Sequence, residues 1–137
     1  MATRCYIGLE GLDGTVRYVY CHWDGYPSGT GKILQEDWNT YTKVYNMLNK
    51  GNMSYLGRSL EDTKFYCEEG DPNKEGESFK YYCKDVNDYS TTAADYLIEY
   101  IYLFMQTKEG WEWFLWEPDK KTWEPLQQVL DRVLKEE

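Results

Sequence analysis

From Arg4 to Glu10, and again from Thr15 to Trp23, apolar and β-favouring side chains recur at every second position, the period of a strand. Gly11-Leu12-Asp13-Gly14 separates the two runs, and Asp-Gly between alternating segments predicts a β-hairpin. In the second run Val16, Tyr18, Tyr20 and His22 share one face, and Arg17, Val19, Cys21 and Trp23 share the other. Asp24 to Gly29 then breaks regular structure. The period next lengthens. Thr30 to Trp38 brings Ile33, Leu34 and Trp38 together at helical spacing, and Thr40 to Lys50 does so for Val44, Met47 and Leu48 before stopping at Gly51. Asn52 to Gly57 reads as a loop plugged by Met53 and Leu56.

Lys64 to Glu68 and Phe79 to Lys84 are short strand candidates around an acidic loop, 69–77, that contains glycine and proline. Ser90 or Thr91 is expected to cap a short helix running through Tyr96. Ile98 to Gln106 and Trp111 to Glu117 are apolar β-rich runs joined by a second hairpin turn, Thr107 to Gly110. Leu126, Val129, Leu130, Val133 and Leu134 make an apolar stripe on a final helix. Strands are grouped in hairpins rather than alternating with helices. That order predicts an α+β fold: an antiparallel sheet with helices packed on one face. At 137 residues, with no repeat and no composition break, the chain reads as a single domain.

Composition narrows the function. The chain carries 14 Tyr, 6 Trp and 4 Phe, and tyrosine completes a core, lines a pocket or covers an interface with equal chemistry. Trp111 and Trp113 share one face of their strand and Phe114 and Trp116 the other, so either both faces are core or one is an interaction surface. The net charge of −9 is uneven: residues 1–60 sum to +1 and residues 61–137 to −10. An acidic half repels phosphate backbones, which argues against direct nucleic-acid binding and suits either solubility or a basic protein partner. No run reaches the ~18 apolar residues that a membrane span needs, and Met1 to Arg4 leads straight into the first strand without a signal-like region. A cytoplasmic protein is expected. Cys5, Cys21, Cys67 and Cys83 form no CxxC pair and His22 is the lone histidine, so reduced thiols and no metal or other cofactor are expected.

Two stretches invite chemistry. Tyr26-Pro-Ser-Gly-Thr-Gly-Lys32 superficially resembles a phosphate-binding P-loop, but lacks its first glycine and has Ile33 where a Ser or Thr would hold magnesium. Gly29 and Gly31 then imply a tight loop entering a helix, with outward amides that offer a weak site to a small anionic ligand beside Lys32. Tyr20-Cys21-His22-Trp23-Asp24-Gly25-Tyr26-Pro27 is the densest stretch. Neighbours on a strand point to opposite faces, so Cys21 and His22 do not pair as nucleophile and base, whereas His22 and Asp24 share a face. Three readings stay open: a weak catalytic one, a binding site over Tyr20, His22, Trp23, Asp24, Tyr26 and Lys32, and a structural corner tied down by His22 and Asp24. Glu68, Glu69 and Asp71 in the acidic loop are the candidates for attracting a basic partner.

The block YCHWDGYP, preceded by Asp13-Gly-Thr-Val16 and followed by the Gly29-x-Gly-Lys-x-Leu34 helix start and Leu48 to Gly57, resembles a family of small uncharacterised proteins abundant in bacteriophages, prophages and plasmids. The aromatic Tyr100-x-Tyr-Leu-Phe104 strand and the Trp-rich strand after it are also similar, more loosely. An Arg-Asp-Arg-Gly-Glu-like stretch common in the middle of that family is replaced by acidic residues here. The resemblance implies a fold but no activity. It implies a phage accessory protein, not an enzyme, that works in the host bacterial cytoplasm by binding and inhibiting a host protein in counter-defence or takeover. A nucleotide-signal sponge at the glycine loop is the alternative, and self-association stays open.

Overall fold

The computed structural model describes residues 3–66, 82–96, 98–117 and 120–135. The first hairpin forms as its alternation predicts: β1 (Cys5–Glu10) and β2 (Val16–Cys21) pair antiparallel with Tyr6 opposite Tyr20 and Cys5 opposite Cys21. A single wide π-helical turn, Pro27–Gly31, leads into α1 (Lys32–Asp37), and α2 (Tyr41–Asn49) starts where the Thr40 side chain accepts from Lys43 N. After β3 (Met53–Tyr55), β4 (Lys64–Phe65) and β5 (Tyr82–Cys83) comes α3 (Val86–Asp95). The long hairpin of β6 (Tyr100–Thr107) and β7 (Gly110–Trp116), then β8 (Trp123–Pro125) and α4 (Leu126–Lys135), complete the described chain.

The α+β class stands. The sheet, however, is mixed and not purely antiparallel. Its strand order is β4-β3-β2-β1-β6-β7-β8, with β5 also on β2, and both β1–β6 and β2–β3 run parallel. A strand flanked on both edges and covered on both faces loses its polar alternation. Thus β1 is buried from Cys5 to Leu9 and β6 from Ile101 to Phe104. Met53 to Tyr55, expected as loop, is drawn into the sheet beside Cys21.

Helices lie on both faces, which corrects the one-face expectation. On one face Cys5, Ile7, Val19, Tyr102 and Phe104 meet Leu34 and Trp38 of the α1 segment, Val44 and Met47 of α2, and Leu126, Val129 and Leu130 of α4. On the other, Tyr6, Tyr18, Ile101 and Leu103 meet Tyr89 and Ala93 of α3. That second face is apolar enough to need a cover of its own. Gly8 makes room for it: a Cβ there would lie 2.8 Å from Tyr89 Cζ. The α3 cap also differs from expectation. Asp85 accepts from Asp88 N at 2.8 Å, while Ser90 and Thr91 sit inside the helix and donate to Asn87 O at 2.9 and 3.0 Å. The Trp-rich strand resolves into core and cover: Trp113 is buried, Trp111, Phe114 and Trp116 are half-buried, and Trp116 leans on Trp123 at 5.4 Å.

Candidate functional site

Strand alternation at the end of β2 sends Cys21 and His22 in opposite directions. Cys21 enters the core opposite Cys5 of the hairpin, and its thiol donates to Trp23 O at 3.6 Å. Burial pushes the Cys5 thiol well above its usual range, while the contact with Cys5 lowers Cys21, which is itself buried away from solvent. His22 stays half-buried on the other face, where its Nδ1 lies 2.6 Å from the Tyr20 hydroxyl. Burial raises the Tyr20 phenol, so we assign it as the donor and Nδ1 as the acceptor, leaving the ring proton on Nε2. Trp23 packs edge-on against His22, with centroids 4.8 Å apart at 89°.

The next residues form the corner that the sequence left as one of three readings, but other atoms hold it. His22 bonds Tyr20 instead of Asp24. Asp24 works through its main chain: at φ 60° it takes the left-handed conformation, and its carbonyl accepts from both Thr30 N and Thr30 Oγ1 at 2.8 Å. Among the described residues the Asp24 carboxylate receives only a long contact from the Tyr26 hydroxyl, 3.4 Å. Gly25 is wedged so tightly that a Cβ would lie 2.7 Å from Thr3 O. Its N–H donates to Thr3 O at 2.8 Å, and its buried carbonyl accepts from Tyr102 Oη at 2.7 Å. Burial drives the Tyr102 phenol well up, which keeps it protonated as that donor.

The glycine loop does not present outward amides. Gly29 N and Gly31 N donate to Tyr26 O, Thr30 N to Asp24 O, and Lys32 N to Gly29 O and Pro27 O. An anion at this turn finds these donors already spent, because π-helical winding satisfies them internally. Lys32 is half-buried after that turn. What the corner does offer outward is aromatic surface: Trp23 is 44% exposed and Tyr26 40%.

On the α3 face Tyr20 joins residues that sequence reasoning did not select. Tyr6, Tyr18 and Tyr20, with Asn52, Thr92 and Tyr96, line a cleft of about 490 Å³. Tyr6 and Tyr18 lie 4.8 Å apart, and Asn52 Oδ1 accepts from Tyr20 N at 2.9 Å. The first hairpin was legible in the sequence, and the register the structure gives it sets Tyr6 opposite Tyr20. No local signal marks Asn52, Thr92 or Tyr96, which arrive through tertiary packing. Glu68, Glu69 and Asp71 lie outside the described residues. Among the described residues no group of three or more His, Cys, Asp or Glu gathers in a metal-binding arrangement, and no helix is long and apolar enough to cross a membrane. Comparison of the chain with protein-family models, with curated proteins and with solved structures finds no match in any of the three.

Proposed function

We propose that this chain is a binding protein that engages a protein partner through the aromatic corner at Trp23 and Tyr26. The observation that carries the reading is the pairing of exposure with rigidity. Two large aromatic side chains are held in solvent on a turn fixed by Asp24, Gly25, Thr30 and Tyr102. Aromatic anchors that are already ordered lose little conformational entropy on association, which is how a small surface becomes an energetic hot spot. In the phage setting that the YCHWDGYP block implies, the partner is a bacterial host protein and binding inhibits it. The acidic charge favours a partner with a basic surface and speeds the encounter. The experiment is capture of partners from bacterial lysate with wild type and with a Trp23→Ala/Tyr26→Ala variant. The variant is expected to melt with wild type and to lose the captured protein; a variant that captures it equally well refutes the corner as the contact.

A second reading draws on the tyrosine-lined cleft. Its described walls are phenols, one amide and one hydroxyl, with no charge, so the ligand it suits is an uncharged planar ring and not an anion. Tyr18→Ala and Tyr96→Ala test it: a small-molecule binder loses ligand-induced thermal stabilisation in both, whereas a protein binder keeps its partner.

A further inference from the structure

The ladder from β8 to β7 covers only Phe114 to Trp116, and it ends at Pro125, which has no N–H and turns the chain into α4. Among the described residues, β7 from Gly110 to Trp113 therefore has no strand on that side. A groove of about 440 Å³ lies there, between this edge and the ends of two helices. Besides the aromatic rings of Phe104, Trp111 and Trp113, its lining includes four amide residues, Gln35 and Asn39 from the α1 end and Gln127 and Gln128 from the first turn of α4. Gln127 donates to Asp131 at 2.9 Å, which holds its amide in place. Glu109 and Glu112 complete the polar lining, and no Lys or Arg is among the described lining residues.

Each of these features excludes something. Two carboxylates without a cation repel an anionic ligand. A purely apolar occupant would strip water from four amides and return no hydrogen bond. A side-chain amide carries the same donor and acceptor as a peptide unit, so this lining is matched to the backbone of an extended chain, as is the unpaired edge of β7. The two carboxylates set the charge of the incoming side chains. We propose that this groove receives an extended, basic segment of the protein partner, laid alongside Gly110–Trp113 of β7 with an arginine or lysine side chain between Glu109 and Glu112. The inference rests on the protein-binding reading and gives that partner a second contact, separate from the aromatic corner.

The test titrates isotope-labelled full-length protein with a blocked decapeptide of alternating arginine and valine, followed by amide chemical shifts. Changes are expected at the backbone amides of residues 110–113 and the side-chain amides of Gln35, Asn39, Gln127 and Gln128. Replacing each arginine by neutral citrulline should weaken binding about tenfold or more, and N-methylating alternate peptide bonds should abolish it. Glu109→Gln/Glu112→Gln should cost the arginine peptide about tenfold, leave the citrulline peptide unaffected and leave the melting temperature unchanged. Equal affinity for the citrulline peptide, absence of binding, shifts centred elsewhere, or tighter occupation of the same amides by a neutral oligosaccharide each overturn the proposal. Trp23→Ala/Tyr26→Ala separates the two claims. Loss of the partner in that variant, with no peptide binding in the groove of wild type, overturns the groove alone. Retention of both partner and peptide overturns the corner alone.

Discussion

Removing one oxygen atom, in Tyr102→Phe, tests whether the corner is held from the core. Tyr102 is fully buried in β6, and its hydroxyl donates to the buried carbonyl of Gly25 at 2.7 Å, a contact between residues 77 apart in the chain. Phenylalanine keeps the ring and its packing but leaves that carbonyl without its donor. A buried acceptor stripped of its partner costs about 1–3 kcal/mol. Taking about 2 kcal/mol, and an unfolding entropy of about 2.1 cal/mol/K per residue, the melting temperature should fall by roughly 7 °C for a chain of 137 residues. Tyr89→Phe is the matched control. Its hydroxyl is equally buried and donates at 2.9 Å to Tyr102 O, but that carbonyl belongs to a strand paired on both sides, with β1 and β7. Its loss should cost only about 0.5–1.5 kcal/mol, the net value of one bond among several. Calorimetry should therefore rank Tyr102→Phe below Tyr89→Phe, and only Tyr102→Phe should weaken partner capture. Equal melting temperatures, or an unchanged one for Tyr102→Phe, would refute the reasoning.

Leu130→Asp places an unpaired carboxylate beneath α4, where Leu130 is 3% exposed, and should lower the melting temperature by well over 10 °C; an unchanged melt would show α4 to be undocked. Gly8→Ala pushes a methyl to 2.8 Å from Tyr89 Cζ and should cost about 1–3 kcal/mol through displacement of α3, measurable by urea unfolding. Burial holds the Tyr89 and Tyr102 phenols well above their ordinary range. The unfolded chain therefore releases these protons first, and their contribution to stability should be fully present below about pH 10 and fall as pH rises past it. Phenolate absorbance at alkaline pH should show Tyr89 and Tyr102 ionising only as far-ultraviolet dichroism is lost; full titration of a folded protein contradicts this. Neutralising Glu68, Glu69 and Asp71 together should slow association with a basic partner at low salt, because complementary charge speeds encounter; identical on-rates argue against steering.

Sequence alone was sufficient where the controlling interactions are local. Asp13-Gly14 marks the first hairpin, although its register is the fold's: Glu10 pairs with Val16 and not Thr15, which sets Tyr6 opposite Tyr20. The stripe at Leu126, Val129 and Leu130 specifies the buried face of α4, because side chains three and four apart on a helix share a side whatever they pack against. Alternation alone separates Cys21 from His22 and removes the nucleophile–base reading. Tertiary structure decided everything that depends on which distant segment arrives. The parallel pairing of β1 with β6 joins residues nearly a hundred positions apart, and no residue in either strand encodes its neighbour. Met53 to Tyr55 and Trp123 to Pro125 are too short to carry a periodic signal and become strands only because an edge is waiting for them. The corner shows the same division. Its residues were conspicuous in sequence, but their roles were not: Asp24 acts through a carbonyl, the glycine-loop amides turn inward, and the bond that fixes Gly25 comes from Tyr102. Side-chain identity advertises chemistry, whereas a backbone carbonyl is the same at every position, and only the fold determines which one is buried and what reaches it.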